Sequence, residues 1–128
     1  MDIIDKKLFH EGSFVDEEVF DAKLDLDNKT MVIDTSGALL ETGDFLSKAK
    51  IIIENWEKLE LMERDKYGIR SFSDYEFALD RFSIIEFHWT DYELKLVDVG
   101  KNCWIDWIFT KPKVTIYGEI DPNPPKFE

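Results

Sequence analysis

The strongest constraint on the fold lies between Ser83 and Glu119, where alternating apolar and polar residues recur in four segments separated by very short turns. Ser83 to Thr90 alternates, Asp91-Tyr92 turns the chain, and Glu93 to Val99 follows. Gly100-Lys101-Asn102 turns it again, and Cys103 to Thr110 and Lys113 to Glu119 complete the series, with Pro112 at their boundary. A two-residue period marks a half-buried strand. Strands joined by short turns run antiparallel, because a parallel return needs a crossover of about a dozen residues. The last third therefore predicts an antiparallel sheet.

Upstream, Phe20, Ala22, Leu24 and Leu26 alternate with Asp21, Lys23, Asp25 and Asp27. Asp27-Asn28-Lys29 has turn chemistry, and Thr30 to Thr35 returns as a β-rich partner, so a hairpin is expected. The period then changes. Phe45, Ala49, Ile52, Trp56 and Leu59 fall at steps of three and four, with Leu46 and Ile53 widening the stripe, as on one face of a long amphipathic helix. Thr42 or Asp44 would cap its start and Gly68 its end. A shorter helix is expected after Ser73, through Tyr75, Ala78 and Leu79. The expected order is ββα(α)ββββ, an α+β fold with a mainly antiparallel sheet and the long helix packed on one face. Residues 1–120 read as a single domain. Residues 121–128, with Pro122, Pro124 and Pro125, read as a Pro-rich C-terminal tail.

The 128 residues carry 28 acidic against 16 basic side chains, a formal charge of −12, with 44% apolar residues. That apolar share supplies enough buried surface to offset the ordering entropy of a chain this size. Nucleic acid is disfavoured as a partner, since phosphates require a basic footprint, and a basic protein is favoured. The longest uninterrupted apolar stretches, such as Ile51 to Ile53, are three residues long, so no membrane partner is expected. The N-terminal residues lack the apolar core of a signal peptide. Cys103, the only cysteine, suits a reducing compartment, and a soluble cytoplasmic protein is the expectation.

Chemical motifs are sparse. Asp25-Leu26-Asp27-Asn28-Lys29-Thr30 resembles the aspartate box of haloacid-dehalogenase-like phosphatases. That family also needs a later lysine, an acidic magnesium pair and a parallel sheet, so a strand end and hairpin turn explain these residues more simply. The same stretch fails as a calcium loop, with Thr30 and Ser36 where Gly and Glu are needed. His10 and His88 show no zinc spacing with Cys103, and there is no phosphate-binding glycine loop, so no metal and no cofactor are expected. Glu86, His88 and Asp106 on one sheet face offer the best acid–base chemistry in the chain. No catalytic residue is assigned and the chain is not read as an enzyme.

The alternation sorts each late strand into two faces. Ile85, Phe87, Trp89, Leu94, Leu96, Cys103, Ile105, Trp107, Phe109, Val114 and Ile116 form the expected core phase. The opposite phase mixes carboxylates with rings, and from it Glu86, His88, Glu93, Trp104, Asp106, Tyr117 and Glu119 are the candidate partner-binding residues. Asp16, Glu17, Glu18, Asp21, Asp25 and Asp27 make a second acidic patch with few basic neighbours.

A small, acidic, reduced α+β domain with such a face resembles the immunity proteins of bacterial toxin systems, including contact-dependent growth inhibition. The resemblance is carried by Glu86, Glu93, Trp104, Asp106, Tyr117, Glu119 and the overall charge. It implies a cytoplasmic inhibitor that binds and neutralises a cognate toxin, often a basic nuclease, through an acidic-aromatic surface. A small enzyme or ligand-binding domain with a pocket between helix and sheet is the alternative, and a homo-oligomer joined through Trp104 and Tyr117 is a further one.

Overall fold

The computed structural model describes residues 1–80, 82–99 and 103–122. Two antiparallel sheets enclose the core, and the only α-helix among these residues is one of six residues, α1 (Tyr75–Asp80). The strands are β1 (Asp2–Ile3), β2 (Val19–Asp25), β3 (Thr30–Thr35), β4 (Ala38–Leu39), β5 (Phe45–Glu54), β6 (Lys58–Asp65), β7 (Gly68–Phe72), β8 (Glu86–Trp89), β9 (Glu93–Val99), β10 (Trp104–Thr110) and β11 (Lys113–Ile120). The first sheet runs β1-β11-β5-β3-β2, with β4 beside the start of β5. The second runs β7-β6-β10-β9-β8.

The expected β2–β3 hairpin forms, with Ala22 opposite Ile33 and Leu24 opposite Met31. The short helix after Ser73 also forms: Asp74 caps it by accepting a hydrogen bond from the Phe77 N–H at 3.0 Å. In the last third, β8, β9 and β10 make the expected meander. The fourth strand departs from the expectation, because β11 pairs with β5 and β1 in the other sheet instead of continuing the series. The turn expected at 100–102 lies outside the described residues, as does the Pro-rich tail beyond Pro122. The Asp121 N–H still donates to the Phe45 carbonyl at 2.7 Å.

The α+β fold with a long amphipathic helix is contradicted. Residues 45–65 form two strands, β5 and β6, and the described residues are mostly β. The misleading three-and-four spacing has two local causes. Ser47 lies in a β-bulge, since Lys48 faces Glu119 while Leu46 faces Ile120, so the inward residues Leu46 and Ala49 are three apart. Ala49, Ile51 and Ile53 then alternate inward as in any strand. A corner at Asn55 adds another step of three before the buried Trp56. Three consecutive β-branched isoleucines favour the strand once tertiary pairing is available. The expected cap residues Thr42 and Asp44 instead bond each other in the β4–β5 turn at 2.9 Å, and Gly68, at φ +140°, follows the β6–β7 turn. Along β6, Lys58 pairs with Glu60 at 3.2 Å and Arg64 pairs with Asp106 on β10.

The corner joins the sheets. Glu54 faces Lys113 in the first sheet, and a few residues on, Lys58 faces Thr110 in the second. Both strands of this ribbon change sheets together, at Asn55 (φ 53°) and Lys111 (φ 48°). Such bends are how strands cross between packed sheets. The freed backbone groups stay satisfied: the Asn55 N–H donates to the Lys29 carbonyl at 3.0 Å, Glu57 to Thr110 at 2.9 Å and Lys111 to Tyr92 at 2.8 Å. Trp56 packs edge-on against Phe109, 5.1 Å between ring centres.

Met31, Ile33, Ile51, Ile53 and Ile116 from the first sheet meet Leu61, Phe87, Leu94, Leu96, Trp107 and Phe109 from the second in one hydrophobic cluster. Of the expected core phase, Phe87, Leu94, Leu96, Ile105, Trp107, Phe109 and Ile116 are buried, whereas Ile85, Trp89, Cys103 and Val114 are half-buried. The N-terminal segment closes one end, where Phe9 stacks on Phe14 (5.9 Å) and Phe14 meets Phe87 (5.0 Å).

Candidate partner-binding surface

The outward face of the second sheet carries Glu86 and His88 from β8, Glu93 from β9, and Trp104 and Asp106 from β10. Tyr117 and Glu119 lie elsewhere. They belong to β11, on the outer face of the first sheet, where Tyr117 faces Lys50, itself 3.8 Å from Asp34. The single face of seven residues expected from alternation is thereby split in two, because β11 changes sheets at Lys111.

On the second sheet the carboxylates are largely matched. Arg64 Nη2 donates to Asp106 Oδ1 at 2.9 Å, and its Nε lies 2.7 Å from Oδ2 in a geometry too bent for a second hydrogen bond. This contact raises the Arg64 pKa further above its ordinary value. The same guanidinium lies over the Trp104 ring at 5.9 Å. Glu86 contacts His88 at 3.0 Å, which lowers the Glu86 pKa despite partial burial. Asp106 is buried, so it is not the unpaired steering charge that its sequence position suggests. Trp104 remains 42% exposed and borders a hollow of about 490 Å³ with Arg64, Asp65, Lys66, Gly68 and Ile69. Glu93 is exposed near the corner, opposite Thr110.

The unmatched negative charge gathers around the edge strand β2. Two open hollows, of about 470 and 570 Å³, share Leu79 and follow the groove between β2 and α1. Asp21, Asp25, Asp27, Glu76 and Asp80 line it, interleaved with Phe20, Leu24, Leu26 and Tyr75. Lys23, 3.5 Å from Asp21, is the one ion-pair partner among the described residues for these five carboxylates. Asp25 accepts hydrogen bonds from the side chain and backbone of Asn28, which keep its pKa below the ordinary value. Phe20 sits at a bulge, between Val19 facing Thr35 and Asp21 facing Asp34, and is 64% exposed. β2 ends the strand order of its sheet, so among the described residues its outer edge has no neighbouring strand. Asp16, Glu17 and Glu18 extend the negative charge just before β2, with Glu17 held by the Ser36 hydroxyl.

Asp21, Asp25 and Asp27 are thus brought into one groove as a sequence patch, while the contribution of α1 was hidden by its distance along the chain. Acidic residues at 74, 76 and 80 were the available signal. The pocket expected between a long helix and a sheet has no counterpart, since that helix is not formed. One mixed cluster, Glu11 with Glu86 and His88, has donor atoms close enough for a metal ion. No helix among the described residues is long and apolar enough to cross a membrane. Comparison with protein-family models, curated proteins and solved structures finds no match.

Proposed function

We propose that the chain is an immunity-type inhibitor that binds and neutralises a basic protein toxin, with the acidic groove between β2 and α1 as its principal contact. The carrying observation is the coincidence of five carboxylates, exposed apolar side chains and a sheet edge that no described strand pairs with, all in one place. Clustered like charge accelerates encounter with an oppositely charged protein. Exposed Phe20 and Leu26, beside the half-buried Leu24 and Leu79, supply apolar contact that slows dissociation, and an extended basic segment can add main-chain hydrogen bonds along β2. A cytoplasmic location, where Cys103 stays reduced, belongs to the same reading. Trp104 and its hollow are a second contact surface, favoured by the ring's exposure beside Ile69.

The test is titration of the purified chain with the product of the neighbouring reading frame across a salt series. A 1:1 complex with a basic protein, whose association rate falls with salt and drops by roughly tenfold or more in a D25K/D27K/E76K variant, supports the reading. No complex, or one indifferent to both salt and the substitutions, overturns it.

A further inference from the structure

We propose that Glu11, Glu86 and His88 form a binding site for a divalent transition-metal ion of the zinc type. The three donor atoms lie within 4.8 Å of one another, although Glu11 is far from the other two in sequence. β8 supplies two of them by period: Glu86 and His88 are two residues apart and share a face. The third is placed by backbone pairing, since the Phe87 N–H donates to the Glu11 carbonyl at 3.0 Å.

The segment carrying Glu11 is held on both sides of it. Ser13 N–H donates to the His10 carbonyl at 3.1 Å, His10 N–H to the Ser13 hydroxyl at 2.9 Å, and Gly12 N–H to His10 Nδ1 at 3.1 Å. Donors around a four-coordinate zinc, at about 2.0–2.1 Å each, stand roughly 3.3 Å apart. His88 Nε2 and Glu86 Oε1 are already 3.0 Å apart, so side-chain rotation at Glu11 is the main adjustment needed.

The charge distribution favours a cation there. The Glu11 and Glu86 carboxylates lie within 4.8 Å of each other, and like charges that close repel unless a cation stands between them. Among the described residues neither is ion-paired to a lysine or arginine, and Lys95 and Arg64 act on Glu86 only at longer range. One imidazole with two carboxylates suits zinc and its neighbours better than magnesium or calcium, which prefer all-oxygen sites. With three protein ligands and partly exposed side chains, a fourth position is left to water. A bound ion would fasten the 10–13 segment more firmly to the outer edge of β8 and hold the Phe9–Phe14 plug in place. This site does not depend on the partner reading.

The test uses the full, metal-stripped chain titrated calorimetrically with zinc chloride, with cobalt chloride followed by visible absorption. Expected are one saturable site, affinity reduced at least about tenfold in both H88A and E11Q, and no change in E93Q, which alters the same face outside the cluster. Zinc should also raise the thermal midpoint of the parent chain and not of H88A. Absence of one-site binding, or equal affinity in the parent, H88A and E11Q, overturns the proposal, the latter showing ions spread over an acidic surface. If H88A fails to fold, E11Q at an exposed position decides by itself.

Discussion

Asp98 should make this protein less stable as the pH rises through the mildly acidic range. It faces the interior from β9, accepts hydrogen bonds from the Ser83 hydroxyl at 2.6 Å and the Ser83 N–H at 3.2 Å, and has no cationic partner among the described residues. Burial penalises its charged form more than those bonds favour it, pushing its pKa from 3.8 up to about 6. The folded chain thus holds this proton more tightly than the unfolded chain. The stabilisation is fully present below pH 3.8 and is lost as pH rises through about 6. At 1.36 kcal/mol per pH unit the loss is about 3 kcal/mol by neutral pH. Other carboxylates titrate as well, so the informative quantity is the stability of D98N minus that of the parent, from urea denaturation at several pH values. Asparagine stays neutral throughout, and this difference should move in favour of D98N by up to about 3 kcal/mol between about pH 4 and 7.5. A difference that stays constant over that range would refute the assignment of a buried, proton-retaining carboxyl.

Further substitutions probe the packing by urea denaturation. Ile51→Ala should cost about 2–5 kcal/mol, because its side chain is fully buried, whereas Ile52→Thr on the outer face should cost well under 1 kcal/mol. Equal costs would contradict the strand. Arg64→Met should destabilise by about 2 kcal/mol, less than a fully buried pair because the guanidinium is partly exposed, and R64M/D106L should recover most of the loss; no recovery would mean that Asp106 is held by something else. A Cβ on residue 37 would come within 2.1 Å of the Leu46 carbonyl oxygen, and one on residue 118 within 2.7 Å of a Leu46 methyl carbon. Gly37→Ala should therefore be the more damaging of the two, since a side chain can rotate away and a backbone oxygen cannot; the reverse order would show that the strand backbone yields.

The parts legible from sequence are those whose pattern is uninterrupted. β2 and β3 alternate cleanly around a turn of suitable chemistry, and β8, β9 and β10 follow one another as neighbours. β5 and β6 were illegible as strands because a bulge at Ser47 and a corner at Asn55 add steps that imitate a helix. The destination of β11 was hidden for a related reason: Lys111-Pro112 reads as a hairpin turn, yet there the chain leaves for the other sheet. That crossing also separates Tyr117 and Glu119 from Glu86, His88 and Trp104. The acids of 16–27 could be seen as a patch from sequence. Their meeting with Glu76 and Asp80, like that of Glu11 with His88, depends on contacts between distant segments, which local periodicity does not encode.

The paired corner at Asn55 and Lys111 has a mechanical consequence. Because the same two lengths of chain run through both layers, neither layer is an independent unit that can melt while the other persists. Pulling apart β5 and β11 loads β6 and β10 through a few intervening residues. Thermal or chemical unfolding should accordingly register as one cooperative event by tryptophan fluorescence and far-ultraviolet dichroism alike. Assembly should be slow for a chain this short, since the central ribbon closes only when segments roughly half the molecule apart find each other.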